Sequence, residues 1–181
     1  MNTQLYQACT RIDLALGRGL CLLASLFVIA MMLHIVAGIF SRHALGEPLG
    51  GVTEIVSVYD MVAVTFLPLA YVTHQKAHIS VELFTRSLTV FWLKVIDTVA
   101  VLFVVVLSSW VTMETAIAAL ESFQISEVWE SGDGFLSVCI SRLFLPLGIG
   151  AMTFSWILEA VRRIDELSRV NSRGMIVGKE H

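Results

Sequence analysis

The sequence predicts an all-α integral membrane protein with four transmembrane helices, short amphipathic interfacial helices, and both ends on the cytoplasmic side. Three observations carry that expectation. Of the 181 residues, 56% are hydrophobic and 15% charged, against about 25% charged in ordinary soluble domains. A water-soluble domain this small cannot hide so much apolar surface. Four apolar runs are each long enough to cross about 30 Å of hydrocarbon at about 1.5 Å per residue. Lys and Arg, finally, are shared unevenly among the segments that connect those runs.

The chain reads as one domain without internal repeats. In residues 1–18, Leu5, Cys9, Ile12 and Leu16 recur at helical spacing, with Gln7, Thr10, Arg11 and Asp13 on the other side. That pattern predicts an amphipathic helix lying on the membrane surface. Span one covers residues 19–40. Its twelve Leu, Ile, Val and Phe residues each favour insertion by about 0.3 to 0.6 kcal/mol, which outweighs His34 and the glycines. The run follows Arg18 as a signal sequence would, but it lacks a small-x-small cleavage pattern and is expected to stay as an anchor.

Span two, residues 54–73, is opened by the Gly46-Glu47-Pro48-Leu49-Gly50-Gly51 turn and carries Pro68, which should kink it. Span three is residues 90–111, and its helix is expected to continue to Phe123, before the Gly132-Asp133-Gly134 turn breaks the chain. Span four, residues 135–161, is long enough to need tilt, with Pro146, Gly148 and Gly150 marking its bend. Residues 162–181 form a cytoplasmic tail.

Orientation follows from cations, which resist transfer across the membrane. Arg11 and Arg18 lead the chain, Lys76 and Arg86 lie in the middle connection, and Arg162, Arg163, Arg169, Arg173 and Lys179 fill the tail. The connection from Thr112 to Gly134 carries Glu114, Glu121, Glu127, Glu130 and Asp133 and no cation. The termini and middle connection are therefore expected in the cytoplasm.

Ionisable groups within a span cost about 2.5 to 3.5 kcal/mol at a helix centre and demand partners. By helical rise, Asp60 lies about 9 Å below Glu54, and Arg142 about 10 Å past Phe135, on helices entering from the same side. An Asp60 to Arg142 pair is expected, with Glu54, Ser57 and Ser141 near it, and with a structural role. His34 is expected to make a helix-to-helix hydrogen bond. Lys94 is placed to meet Asp97 or Glu159. Gly134, Ser141, Gly148 and Ser155 repeat every seven positions, a seam for close helix approach, either within the chain or with a larger membrane partner. Trp92, Trp110, Trp129 and Trp156 fall near span ends, as interfacial anchors do.

Other chemistries are excluded by what the spacing lacks. Cys9, Cys21 and Cys139 stand alone, so neither a zinc site nor a redox pair is suggested. Haem would need two axial His at matched depth, and His34 has no such mate. Neither a nucleophile elbow nor a phosphate-cradling glycine loop is present, so enzymatic activity, metal and cofactor are not expected. A net charge of -3 argues against nucleic acid.

Following Lys76, the stretch Ala77-His78-Ile79-Ser80-Val81-Glu82-Leu83 precedes the third span. With Glu54 opening span two, Pro68 late in it, and four spans over about Arg11 to Arg163, the chain resembles the DctQ-type small membrane subunit of tripartite ATP-independent periplasmic (TRAP) transporters. The resemblance implies a scaffold role beside a large multi-span subunit that holds substrate and sodium sites, with a periplasmic binding protein delivering an organic acid. It further implies a multi-pass protein of the bacterial inner membrane. The acidic connection to Asp133 is then the segment offered to the binding protein. In the motif, Val81, Phe84 and Leu88 share one helical face away from Glu82 and Arg86, which reads as an interfacial helix anchored by Lys76 and Arg86 among lipid phosphates. His78 is expected to cap it. The competing expectation is a membrane-anchor subunit of a respiratory redox complex.

Overall fold

Inside hydrocarbon every backbone N–H and C=O must be satisfied within its own segment, so the apolar runs have to fold as helices. The computed structural model describes residues 3–44, 46, 49–75, 90–131 and 134–177. Among them, four helices are long and apolar enough to cross a membrane. We label these α1 (Thr3–Ala44), α2 (Val52–His74), α3 (Val90–Gln124) and α4 (Cys139–Val177). The chain passes alternately up and down, so that α1 starts and α4 finishes at one end of the bundle, here the termini end.

Helix α1 departs from expectation at its start. It runs unbroken from Thr3, so the leading amphipathic segment is continuous with span one and is not a separate surface helix. No proline interrupts it, and its glycines are tolerated where packing rewards them. Gly17 shows why: a Cβ there would stand 3.3 Å from the Tyr71 backbone, so the missing side chain lets α1 settle onto α2.

Helix α2 opens after Gly51, whose φ of 80° suits glycine. It is not uniform. Val56–Asp60 forms a π-helical turn, a widening that often accompanies functional residues. Pro68 lacks an N–H and interrupts the helix between the Met61–Phe66 and Leu69–His74 segments, at the position where the sequence predicts a kink. Between these irregularities Ala63 and Leu67 are fully buried, with Ala70 close to it. Ala63, Leu67 and Ala24 of α1 form the core, flanked by Leu20, Phe27 and Phe144. Phe27 and Phe144 meet edge to face at 5.2 Å between ring centroids, the arrangement aromatic quadrupoles favour.

Helix α4 is central. It packs against α3 along much of its length and also touches α2 and α1. It passes through Pro146 without a break and continues beyond the expected span into residues assigned to the tail. Helix α3 ends at Gln124, close to the expected extension past the span.

A β-hairpin replaces the expected beginning of span four. Strands β1 (Val128–Ser131) and β2 (Gly134–Ser137) pair antiparallel, with Trp129 opposite Leu136 and Glu130 opposite Phe135. Helix α4 therefore begins at Cys139, and Phe135 lies exposed on a strand. Two-residue connections between short alternating segments favour hairpins over helix. Lys76, His78, Glu82 and Arg86, with the interfacial helix expected around them, lie outside the described residues.

Candidate functional site

The polar side chains within the bundle gather into three clusters, each joining separate helices. The first lies toward the hairpin end. His34 Nδ1 is 2.7 Å from Asp60 Oδ2, linking α1 to α2. The π-helical turn that ends at Asp60 carries its carboxylate to the α1 side, where it is almost wholly buried. The expected helix-to-helix bond of His34 is therefore present.

The expected Asp60 to Arg142 pair is not. Among the described residues no ion pair joins them; Arg142 instead reaches Glu127, its Nη2 2.5 Å from Oε1. Helical rise fixed the depth of both groups but not their azimuth. Side chains also lean toward a helix's N-terminus, so an Arg one turn into α4 points out toward the hairpin. The neutral residues expected around Asp60 turn elsewhere as well. Ser57 donates to the Glu54 carbonyl at 3.1 Å, and buried Ser141 donates to the Val138 carbonyl at 3.1 Å.

The second cluster locks the hairpin to the bundle. The Tyr59 hydroxyl donates to the Ser137 carbonyl, and the Cys139 thiol donates to the Ser122 carbonyl at 3.2 Å. Glu127 lies in the turn after α3, outside the spans. The Ser122 hydroxyl beside it, which makes no hydrogen bond of good geometry, and the Arg142 guanidinium hold its carboxyl below its ordinary value of 4.5. A folded value below the unfolded one means that the tie contributes fully above pH 4.5 and is lost as pH falls through the folded value. Trp129 fluorescence in detergent should therefore hold steady from neutral pH down to that point and change below it. In Glu127→Gln the acid transition should disappear; a transition that persists in this variant assigns it to another group.

The third cluster sits at the termini end and was not anticipated. Asp13 of α1, only 5% exposed at its side chain, accepts from the Ser155 hydroxyl of α4 at 2.6 Å and stands 3.1 Å from His74 Nδ1 of α2. One carboxylate thus joins three helices. Amphipathic spacing alone puts Asp13 on the solvent-facing side of a surface helix. The usable signal was helical continuity, which carries position 13 onto the same bundle-facing side as Ala24. Nearby, Arg163 rather than Lys94 takes both acids, bonding Asp97 at 2.8 Å and Glu159 at 2.8 Å. Arg162 also donates to Glu159 at 2.5 Å. Asp13, His74, Ser155, Glu159, Arg162 and Arg163 border a cavity of about 390 Å³ between α1, α2 and α4.

The seven-residue seam resolves into unlike parts. A Cβ on Gly148 would lie 2.1 Å from the Phe66 carbonyl oxygen, so this glycine is where α4 presses on the α2 backbone. Ser141 and Ser155 are buried within the chain. Gly134 is on β2, with nothing near its missing Cβ, and does not belong to the seam. The buried part of the seam packs the chain against itself. Chemically, all of this fixes helices relative to one another.

The described residues hold no group of three or more His, Cys, Asp and Glu side chains able to bind a metal ion. Among known families, the model described as "Tripartite ATP-independent periplasmic transporters, DctQ component" matches residues 31–166, well over half of the chain. No curated protein and no solved structure matches it.

Proposed function

The chain belongs to the DctQ component family of tripartite ATP-independent periplasmic transporters, and from that premise we propose that it is the small subunit that braces a large multi-span membrane subunit. The complex takes up an organic acid, a dicarboxylate or a sugar acid, driven by sodium and delivered by a periplasmic binding protein. The family match carries this reading. The bundle's chemistry agrees with it, because the intramembrane charges are engaged between helices of the same chain, as a scaffold requires.

On this reading substrate and sodium sites belong to the large subunit, and this chain holds no cofactor. The chain sits in the bacterial inner membrane with its termini in the cytoplasm and its hairpin outside. There, exposed Glu114, Glu121 and Trp129 face the binding protein. The family is one of transporter components and gives no support to a redox anchor. Affinity purification of a tagged chain after gentle extraction should recover a large multi-span subunit in stoichiometric amount. Recovery of a haem-bearing partner, or of no membrane partner, would contradict the proposal.

A further inference from the structure

His34 is satisfied on one side only. Its Nδ1 faces Asp60, whose side chain is 3% exposed, yet 41% of the imidazole remains open. Both groups lie deep in the apolar spans. By helical rise Asp60 is about 12 Å beyond Val52 and His34 about 15 Å short of Ala44, well inside a hydrocarbon core of about 30 Å. With Asp60 as a carboxylate and the imidazole neutral, Nδ1–H donates to it and Nε2 is left as a bare acceptor. Among the described residues no second hydrogen bond reaches the ring. Acyl chains carry no donor, and a polar atom left unmet at that depth is costly.

The rim around this acceptor is apolar and open. Leu33 and Ala37 on α1, to one side of His34, are exposed, and so is Met61 on α2, next to Asp60. A polar centre within an apolar, exposed rim is how one transmembrane helix receives another. We infer that the His34 face of α1 and α2 seats a transmembrane helix of the large subunit, which presents a hydrogen-bond donor to His34 Nε2. A second copy of this chain fits poorly. A two-fold contact through this face would set His34 against His34, acceptor against acceptor. The inference rests on the proposal that the chain braces a large membrane subunit, and it names the surface that does so.

A photo-crosslinking residue placed at Leu33 or Ala37, in the complex with the tagged large subunit, tests it while His34 stays intact. Phe103 and Val106, exposed on α3, are the comparison positions. Adducts with the large subunit are expected from the α1 positions and not from α3. Replacing the ring should also matter: His34→Leu should reduce recovered complex about tenfold, with His34→Gln restoring most of it. His34→Leu also strips Asp60 of its partner, so the crosslinking decides by itself. An intact complex giving adducts only from Phe103 or Val106, or α1 adducts joining two copies of this chain, would overturn the inference. If the unaltered chain recovers no large subunit, the functional proposal falls, and this inference with it.

Discussion

Gly148→Ala is expected to destabilise the bundle by at least the ~1–3 kcal/mol typical of overpacking, and Gly148→Phe by more. The added Cβ meets backbone, the Phe66 carbonyl oxygen at 2.1 Å and its carbon at 2.5 Å. A side-chain neighbour can swing aside, whereas a helix backbone has to move as a body, and α4 and α2 must part. Their separation would disturb the Ala63 and Leu67 core and the edge-to-face contact of Phe144 with Phe27. Insertion should be unaffected, because added apolar atoms only favour it. Thermal unfolding in detergent is the measurement, with membrane-fraction yield as the control for insertion. Gly134→Ala supplies the contrast: nothing lies within 4 Å of its Cβ, and its midpoint should match that of the parent chain. Equal stability of Gly148→Ala and Gly134→Ala would mean that α4 does not approach α2 so closely.

The second large effect is expected at Asp13. Asp13→Ala removes the acceptor of Ser155 and the partner of His74 together, and frees the start of α1 from both α2 and α4. The loss should be about 3 kcal/mol, in the range for breaking a buried hydrogen-bonded charge. Ser155→Ala should cost less, because the Asp13 carboxylate keeps His74. Hydrogen exchange distinguishes this from a general weakening. In Asp13→Ala, amides of residues 3–18 should exchange faster while those of α3 hold. Unchanged exchange and an unchanged midpoint would return the leading segment to the membrane surface, where its amphipathic pattern first places it.

These two sites show what hydropathy can and cannot locate. Span number, the helix interruption at Pro68 and the depth of Asp60 follow from composition and from rise per residue, both one-dimensional quantities. Partner choice is angular. Asp60 and Arg142 share a depth, yet they face α1 and the hairpin respectively, because a π-helical turn rotates the first and the lean of a helical side chain directs the second. His34 was legible as an inter-helix group, since a lone imidazole in hydrocarbon has few alternatives. Asp13 was hidden by the opposite error. Amphipathic spacing says that a helix has two faces, but whether the polar one meets water or a cluster of Ser155 and His74 depends on helices distant in sequence. The hairpin was missed because Val128 to Ser137 is too short for its alternation to stand out beside the longer runs around it.

The proposed scaffold depends most on the four crossings and the direction in which they run. Side-selective thiol labelling in a background with the native cysteines replaced tests this directly, using Glu121→Cys near the end of α3 and Ser168→Cys late in α4. In intact cells an impermeant reagent should modify position 121, and position 168 only after the membrane is opened. If both positions react from the same side, the helices do not alternate across the bilayer as described, and the proposed scaffold cannot stand.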